Sequence, residues 1–77
     1  MIERTYTVVN TYGKSSSGYN IRIKGASGTI FDVYYTAPIS VDVGDIVVVY
    51  FDNNDTWKRI SNANTGVSAT ITSVSRV

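Results

Sequence analysis

The chain has 77 residues, a formal net charge of +1 from seven basic and six acidic side chains, no histidine and no cysteine. A chain this short makes one domain, residues 1–77, and buries only about 60% of the surface its unfolded form exposes. Disulfides, thiolate sites and the commonest neutral metal ligand are excluded, and the balanced charge is not the footprint of a dedicated duplex-DNA binder, whose affinity rests on many phosphate contacts.

Valine, isoleucine, threonine, tyrosine and serine dominate, and no window holds apolar residues at helical spacing, so the chain reads as all-β. The first strand is predicted over Arg4–Thr11, with Tyr6 and Val8 on one face and Thr7 and Val9 on the other. Tyr12–Gly18, a small polar Gly/Ser stretch, reads as a mobile loop. The second strand, Tyr19–Lys24, alternates Tyr19, Ile21 and Ile23 against Asn20, Arg22 and Lys24. Gly25–Gly28 is a turn. The third strand, Thr29–Thr36, sets Phe31, Val33 and Tyr35 against Ile30, Asp32 and Tyr34, and Pro38 ends it.

Ile39–Val43 is a connector, and Gly44 supplies a backbone conformation that a Cβ would disfavour. The fourth strand, Asp45–Phe51, is apolar on both faces and is expected to be central. Asp52–Asp55 is a solvated hairpin turn; its four oxygen-bearing side chains are consecutive, not in the alternating order of a calcium loop. The fifth strand is Thr56–Ser61, Asn62–Gly66 is a loop, and the sixth strand runs from Val67 to about Val74 with Val67, Ala69 and Ile71 as its buried set. Five or six short strands are too few for a two-sheet sandwich. They fit a small, partly open, OB-like barrel in which the first strand pairs with the fourth, the last strand closes the wall, and any open edge invites strand addition.

The run Val41–Ile60, VDVGDIVVVYFDNNDTWKRI, resembles a pattern in small OB-like barrels of tailed-phage tail and baseplate proteins. There a Gly-Asp turn launches an alternating strand, followed by a short polar turn and a return strand. The upstream half is similar too, from Tyr6–Tyr12 through the Gly/Ser loop to Tyr19–Gly25, so the resemblance covers about Tyr6–Ile60. The Gly-Asp start also opens strands in translation-factor-like RNA-binding OB domains. It can reflect barrel geometry alone, with Gly44 making the turn and Asp45 bonding nearby backbone.

That resemblance implies a non-enzymatic virion structural or assembly protein of a phage or prophage, located in the virion or in the host cytoplasm during assembly. Its partners would be other virion proteins or further copies of itself. The expected contact anchors are Tyr34, Tyr35, Phe51 and Trp57, because aromatics anchor interfaces. The Ser-rich and Asn-rich loops would order on docking, and Lys24, Lys58 and Arg59 would set orientation.

The alternative is a single-stranded nucleic-acid binder, with Tyr19, Tyr34 and Trp57 stacking bases and Arg22, Lys24, Lys58 and Arg59 meeting phosphates. Against both stands the plainer possibility that the aromatics simply fill a small core. Nothing pairs two of Asp32, Asp42 and Asp45 for acid–base work, and Ser15–Ser17 lack a histidine to activate a hydroxyl. Lys14 sits outside a phosphate-loop order. No enzyme activity or cofactor is expected. Met1–Arg4 opens no signal-like apolar stretch, and no apolar run approaches the roughly 20 residues that span a bilayer, so no membrane partner is expected.

Overall fold

The structure, a computed structural model, describes residues 2–77. Six strands form: β1 (Ile2–Ser15), β2 (Gly18–Lys24), β3 (Ile30–Tyr35), β4 (Ile46–Phe51), β5 (Trp57–Asn62) and β6 (Ser68–Arg76). They close into an antiparallel barrel in the order β1-β2-β3-β6-β5-β4. The expected all-β barrel is observed, with β1 paired to β4 and β6 closing the wall between β3 and β5. No strand is left with only one neighbour.

Two three-strand meanders build it, β1–β3 and β4–β6, joined by the connector 36–45. β3 and β4 lie on opposite walls of the ring. The connector therefore crosses the mouth of the barrel, and Ile39 drops fully buried into it. This upper end also carries the β1–β2 turn and the β5–β6 loop. The lower end carries the β2–β3 and β4–β5 turns, the start of β1 and the end of β6.

Period-two alternation fixes which side chains fill the interior. Tyr6 and Val8 of β1, Ile21 and Ile23 of β2, Val33 and Tyr35 of β3, Val47, Val49 and Phe51 of β4, Ile60 and Ala69 form one core with Ile39. The accessible surface is 4500 Å², close to the ~4600 Å² expected of a compact monomer of this mass. The buried apolar side chains form a single cluster inside the ring.

Three sequence expectations change. Tyr12–Ser15 are not loop but the continuation of β1; Ser15 pairs with Gly18, and Ser16–Ser17 alone make the turn. Gly18 permits this hairpin because its φ is +102° and a Cβ there would lie 2.7 Å from the Tyr35 carbonyl oxygen. β4 is not buried on both faces: Val47, Val49 and Phe51 point inward, while Ile46 is exposed. A small barrel has one interior, so the outward residues of even an apolar strand meet water. Val67, expected to be buried, is likewise exposed in the β5–β6 loop, and Ala69 takes the interior position.

Asn62 ties the upper end together. Its Nδ2 donates to the carbonyl of Ile39 at 2.9 Å and to that of Ser40 at 3.2 Å. Its Oδ1 accepts from the backbone N–H of Asn64, its N–H donates to Val67, and its carbonyl accepts from Gly66. One buried amide thereby holds both the plug and the β5–β6 loop, and Ser40 is held at a φ of 57°, a region that side chains other than glycine seldom enter.

Asn62→Ala is expected to destabilise the barrel by about 1–3 kcal/mol for each buried acceptor it strands, and Ile39→Ala by about 2–5 kcal/mol. Val43→Ala, at an exposed position in the same connector, should stay within about 0.5 kcal/mol. Urea unfolding of the three variants checks the ranking. An Asn62→Ala variant as stable as Val43→Ala would show that the amide is not the tie.

Candidate functional site

β1 is 14 residues long, and its neighbours divide it. Ile2–Thr7 pair with β4, and Thr7–Ser15 pair with β2. Only Thr7 has a strand partner on both sides; Val8 adds bonds to Gly44 and Asp45 just before β4 begins. Two stretches of β1 therefore keep one backbone edge without a strand partner. Ile2–Tyr6 lack one on the side where β2 has ended, and Val9–Ser15 lack one on the side where β4 has not begun. The open edge expected of a partly open barrel is absent, because the ring is closed; these unpaired stretches come instead from the stagger of one long strand.

Below the end of β2, the first of these edges lines a groove of about 730 Å³ bounded by Glu3–Tyr6, the turn Gly25–Ser27, Thr29, Phe31 and Arg76. It continues past Thr5, Thr7 and Val9 along Lys24–Ala26 and Ile46. The floor is aromatic. Tyr6 meets Phe31 edge-on at 6.2 Å and Trp57 at 5.5 Å; Trp57 also packs on Phe31 at 4.9 Å and on Phe51 at 4.8 Å. The Arg4 guanidinium lies 5.3 Å over the Phe51 ring, in range of a cation–π attraction. Burial pushes the Tyr6 hydroxyl above its ordinary pKa, with the Arg4 charge pulling the other way.

The second edge belongs to a projecting hairpin arm in which every residue from Asn10 to Ser17 is exposed. Here Asn10 Oδ1 accepts the Thr11 N–H at 2.9 Å, and the register shifts between Thr11 and Gly13. The outer wall of β1–β2–β3 beside the arm carries Arg22, whose Nε and Nη2 donate to the two carboxylate oxygens of Asp32 at 2.8 and 3.1 Å. Arg22 also lies 5.8 Å over the Tyr12 ring.

The anticipated contact anchors separate. Tyr35 and Phe51 are 4% exposed and belong to the core. Trp57 is half-buried in the aromatic floor, and Tyr34 alone faces outward, half-exposed, with its carbonyl accepting from Thr72. Tyr19 is half-buried and stacks on Tyr35 at 5.9 Å. The basic residues of the nucleic-acid alternative divide between walls. Arg22 and Lys24 are on β2, and Lys58 and Arg59 are on β5, three places away around the ring in either direction. Arg22 is neutralised by Asp32, Lys58 lies 3.8 Å from Asp52, and Arg59 donates to Ser68. These residues do not converge on one face.

The turn residues do structural work. Asp52 Oδ1 accepts the N–H groups of Asn54 and Thr56 at 2.8 and 3.0 Å, which builds the β4–β5 turn. Asp45 Oδ2 accepts the Asp42 N–H at 3.0 Å and Gly44 takes φ +94°, as the sequence anticipated. Among the described residues no group of three or more His, Cys, Asp or Glu side chains is placed to hold a metal ion. The residues that sequence reasoning passed over are Glu3, Arg4 and Arg76, which line one groove because β1 begins and β6 ends at the lower rim. No protein-family model matches the chain, and no curated protein or solved structure matches it.

The hydrogen bonds from Arg22 hold the Asp32 carboxyl below the usual carboxylate range, and backbone N–H groups of Thr56 and then Asn54 do the same for Asp52. As pH falls below about 4, the unfolded chain takes up these protons first. The contribution of each pair is then lost as pH drops through the folded value. Asp32→Asn should therefore lose stability less steeply than the parent between about pH 4 and pH 2, read from urea midpoints across an acid series. Identical slopes would mean that Asp32 titrates alike in the folded and unfolded chain.

Proposed function

We propose that this chain is a non-enzymatic structural or assembly protein of a phage or prophage particle, acting through protein–protein contacts. The observation that carries the reading is the divided β1, which offers two stretches of unpaired strand backbone on a barrel whose own core is complete. Free edges of this kind bind by adding a strand from a neighbour. The resemblance of Val41–Ile60 to small tail and baseplate barrels supports the particle setting, as does a charge low enough for close packing of copies. The anchors in this reading are the aromatic floor with Trp57 at its rim, and Tyr34 on the outer wall. Tyr35 and Phe51 act from inside by holding the strands that carry them.

The nucleic-acid alternative has less support. Its four basic residues lie on two opposite walls, and two of them face carboxylates. Base stacking also needs an open ring face beside a phosphate path, and Tyr19 spends a face on Tyr35.

Particles induced from the strain that encodes the chain and purified through a density gradient provide the test. Mass spectrometry should recover peptides of the chain at constant ratio to the major structural proteins across the particle peak. Recovery only from the free-protein fractions would overturn the proposal. Salt-sensitive binding of a fluorescent single-stranded oligonucleotide with quenching of Trp57 would move the reading to the alternative.

A further inference from the structure

The groove beneath the end of β2 combines three features that occur together nowhere else among the described residues. The first is a row of unpaired strand backbone: Glu3, Arg4, Thr5 and Tyr6 line it in succession, and their strand partners lie on the β4 side only. The second is an apolar floor, made by Tyr6 and Phe31 and backed by Trp57. The third is charge. Of the chain's seven cations, Arg22 and Lys58 face carboxylates, and of the remaining five, Arg4, Lys24 and Arg76 all line this groove and its extension. Glu3 is the one carboxylate there. Three of the five cations without a carboxylate partner thus line one groove and its extension.

We infer that this groove is a docking site for an extended acidic peptide segment of a partner protein, which adds as a strand beside Ile2–Tyr6. Backbone bonds to the free edge supply register. Alternate side chains of the added strand face opposite ways; Arg4 shares the face of Tyr6, and Arg76 is the strand partner of Phe31, so an alternating sequence brings its carboxylates to Arg4 and Arg76 beside the aromatic floor and turns its apolar residues outward past Thr5. Arg4 is preset for this role, because its stacking on Phe51 fixes the guanidinium at the rim. A single-stranded nucleic acid would find the same cations, but the Tyr6 ring is already packed between Phe31 and Trp57 and offers no face to a base, whereas a backbone edge has no use for a phosphate chain. The inference rests on the assembly reading and names the chemistry of its partner.

The probe is a blocked peptide of alternating valine and aspartate, titrated into the isotope-labelled full chain and followed by amide chemical shifts. A valine–lysine peptide and oligodeoxythymidylate serve as comparisons. The valine–aspartate peptide should shift the amides of Glu3–Tyr6, Gly25 and Ala26 and weaken as salt is added, and the lysine peptide should leave them in place. Arg76→Gln and the double variant with Arg4→Gln should bind progressively more weakly, the double by about three- to tenfold, the scale of losing two exposed ion pairs. Arg4→Lys keeps the charge and, should Arg4→Gln disturb the floor, carries the comparison together with Arg76→Gln alone.

Absent shifts, equal response to the lysine peptide, shifts confined to the Val9–Ser15 arm, or tighter binding of oligodeoxythymidylate at the same amides would each overturn the inference. Recovery of the chain in purified particles is independent of all four outcomes, so the assembly reading and its acidic partner fail separately.

Discussion

One strand is shared between two neighbours, and the rest of the molecule follows from how it is divided. β1 runs for 14 residues while β2 and β4 have 7 and 6. Neither neighbour can accompany β1 along its length, and their ladders meet at Thr7. That offset closes the ring with six strands. It also splays the lower end open below β2 and projects an arm above β4. A barrel of equal strands would have no such edges. The interior is unaffected, because Tyr6 and Val8 flank the handover and both point inward.

The two ends of the barrel are then closed by different means. Above, a single aliphatic plug, Ile39, is held by a single amide, Asn62, which satisfies backbone groups of both the connector and the β5–β6 loop. Buried polar groups stabilise only when their partners are complete, and here side chain and backbone of Asn62 are all engaged. Below, no connector crosses the mouth, since the two lower links are local turns between neighbouring strands. Aromatic rings fill the space instead. Rings of this size span from wall to wall, so Tyr6, Phe31, Phe51 and Trp57, from four different strands, meet in one cluster. The upper end is a tied cap, and the lower end is a packed but rimmed mouth.

Much of this was legible in the residues. The alternations Tyr19-Ile21-Ile23 and Phe31-Val33-Tyr35 gave the inward faces of β2 and β3 directly, because strand period is two and the barrel has one inside. The same parity, carried along β4 from Val47 and Val49, already turns Phe51 inward, and along β3 it turns Tyr35 inward. Residue type suggests surface anchors at both positions, but strand parity is decisive and buries both. The arm was hidden because Gly13 and three serines carry the composition of a loop, and only pairing with β2 makes them strand. Asn62 was hidden because an asparagine heading a loop looks like any turn former. The groove could not be read at all, since Arg4 and Arg76 are 72 positions apart in sequence and come to line one groove only through the order of six strands.

The two free edges of β1 differ in a way that bears on recognition. An unpaired strand edge invites indiscriminate pairing unless something blocks it. On the arm, the blocks are all present: Asn10 occupies the Thr11 N–H, an irregular register at Tyr12 breaks the row, and Lys14 puts a charge beside it. The lower edge has no side chain bonded across it, and no bulge lies within Ile2–Thr7. Its protection is placement, beneath the β2–β3 turn, where a Cβ in place of Gly25 would crowd the Tyr6 ring at 3.2 Å, and rimmed by cations. The arm's edge is thus obstructed by its own residues, while the lower edge keeps a regular register and a clear backbone.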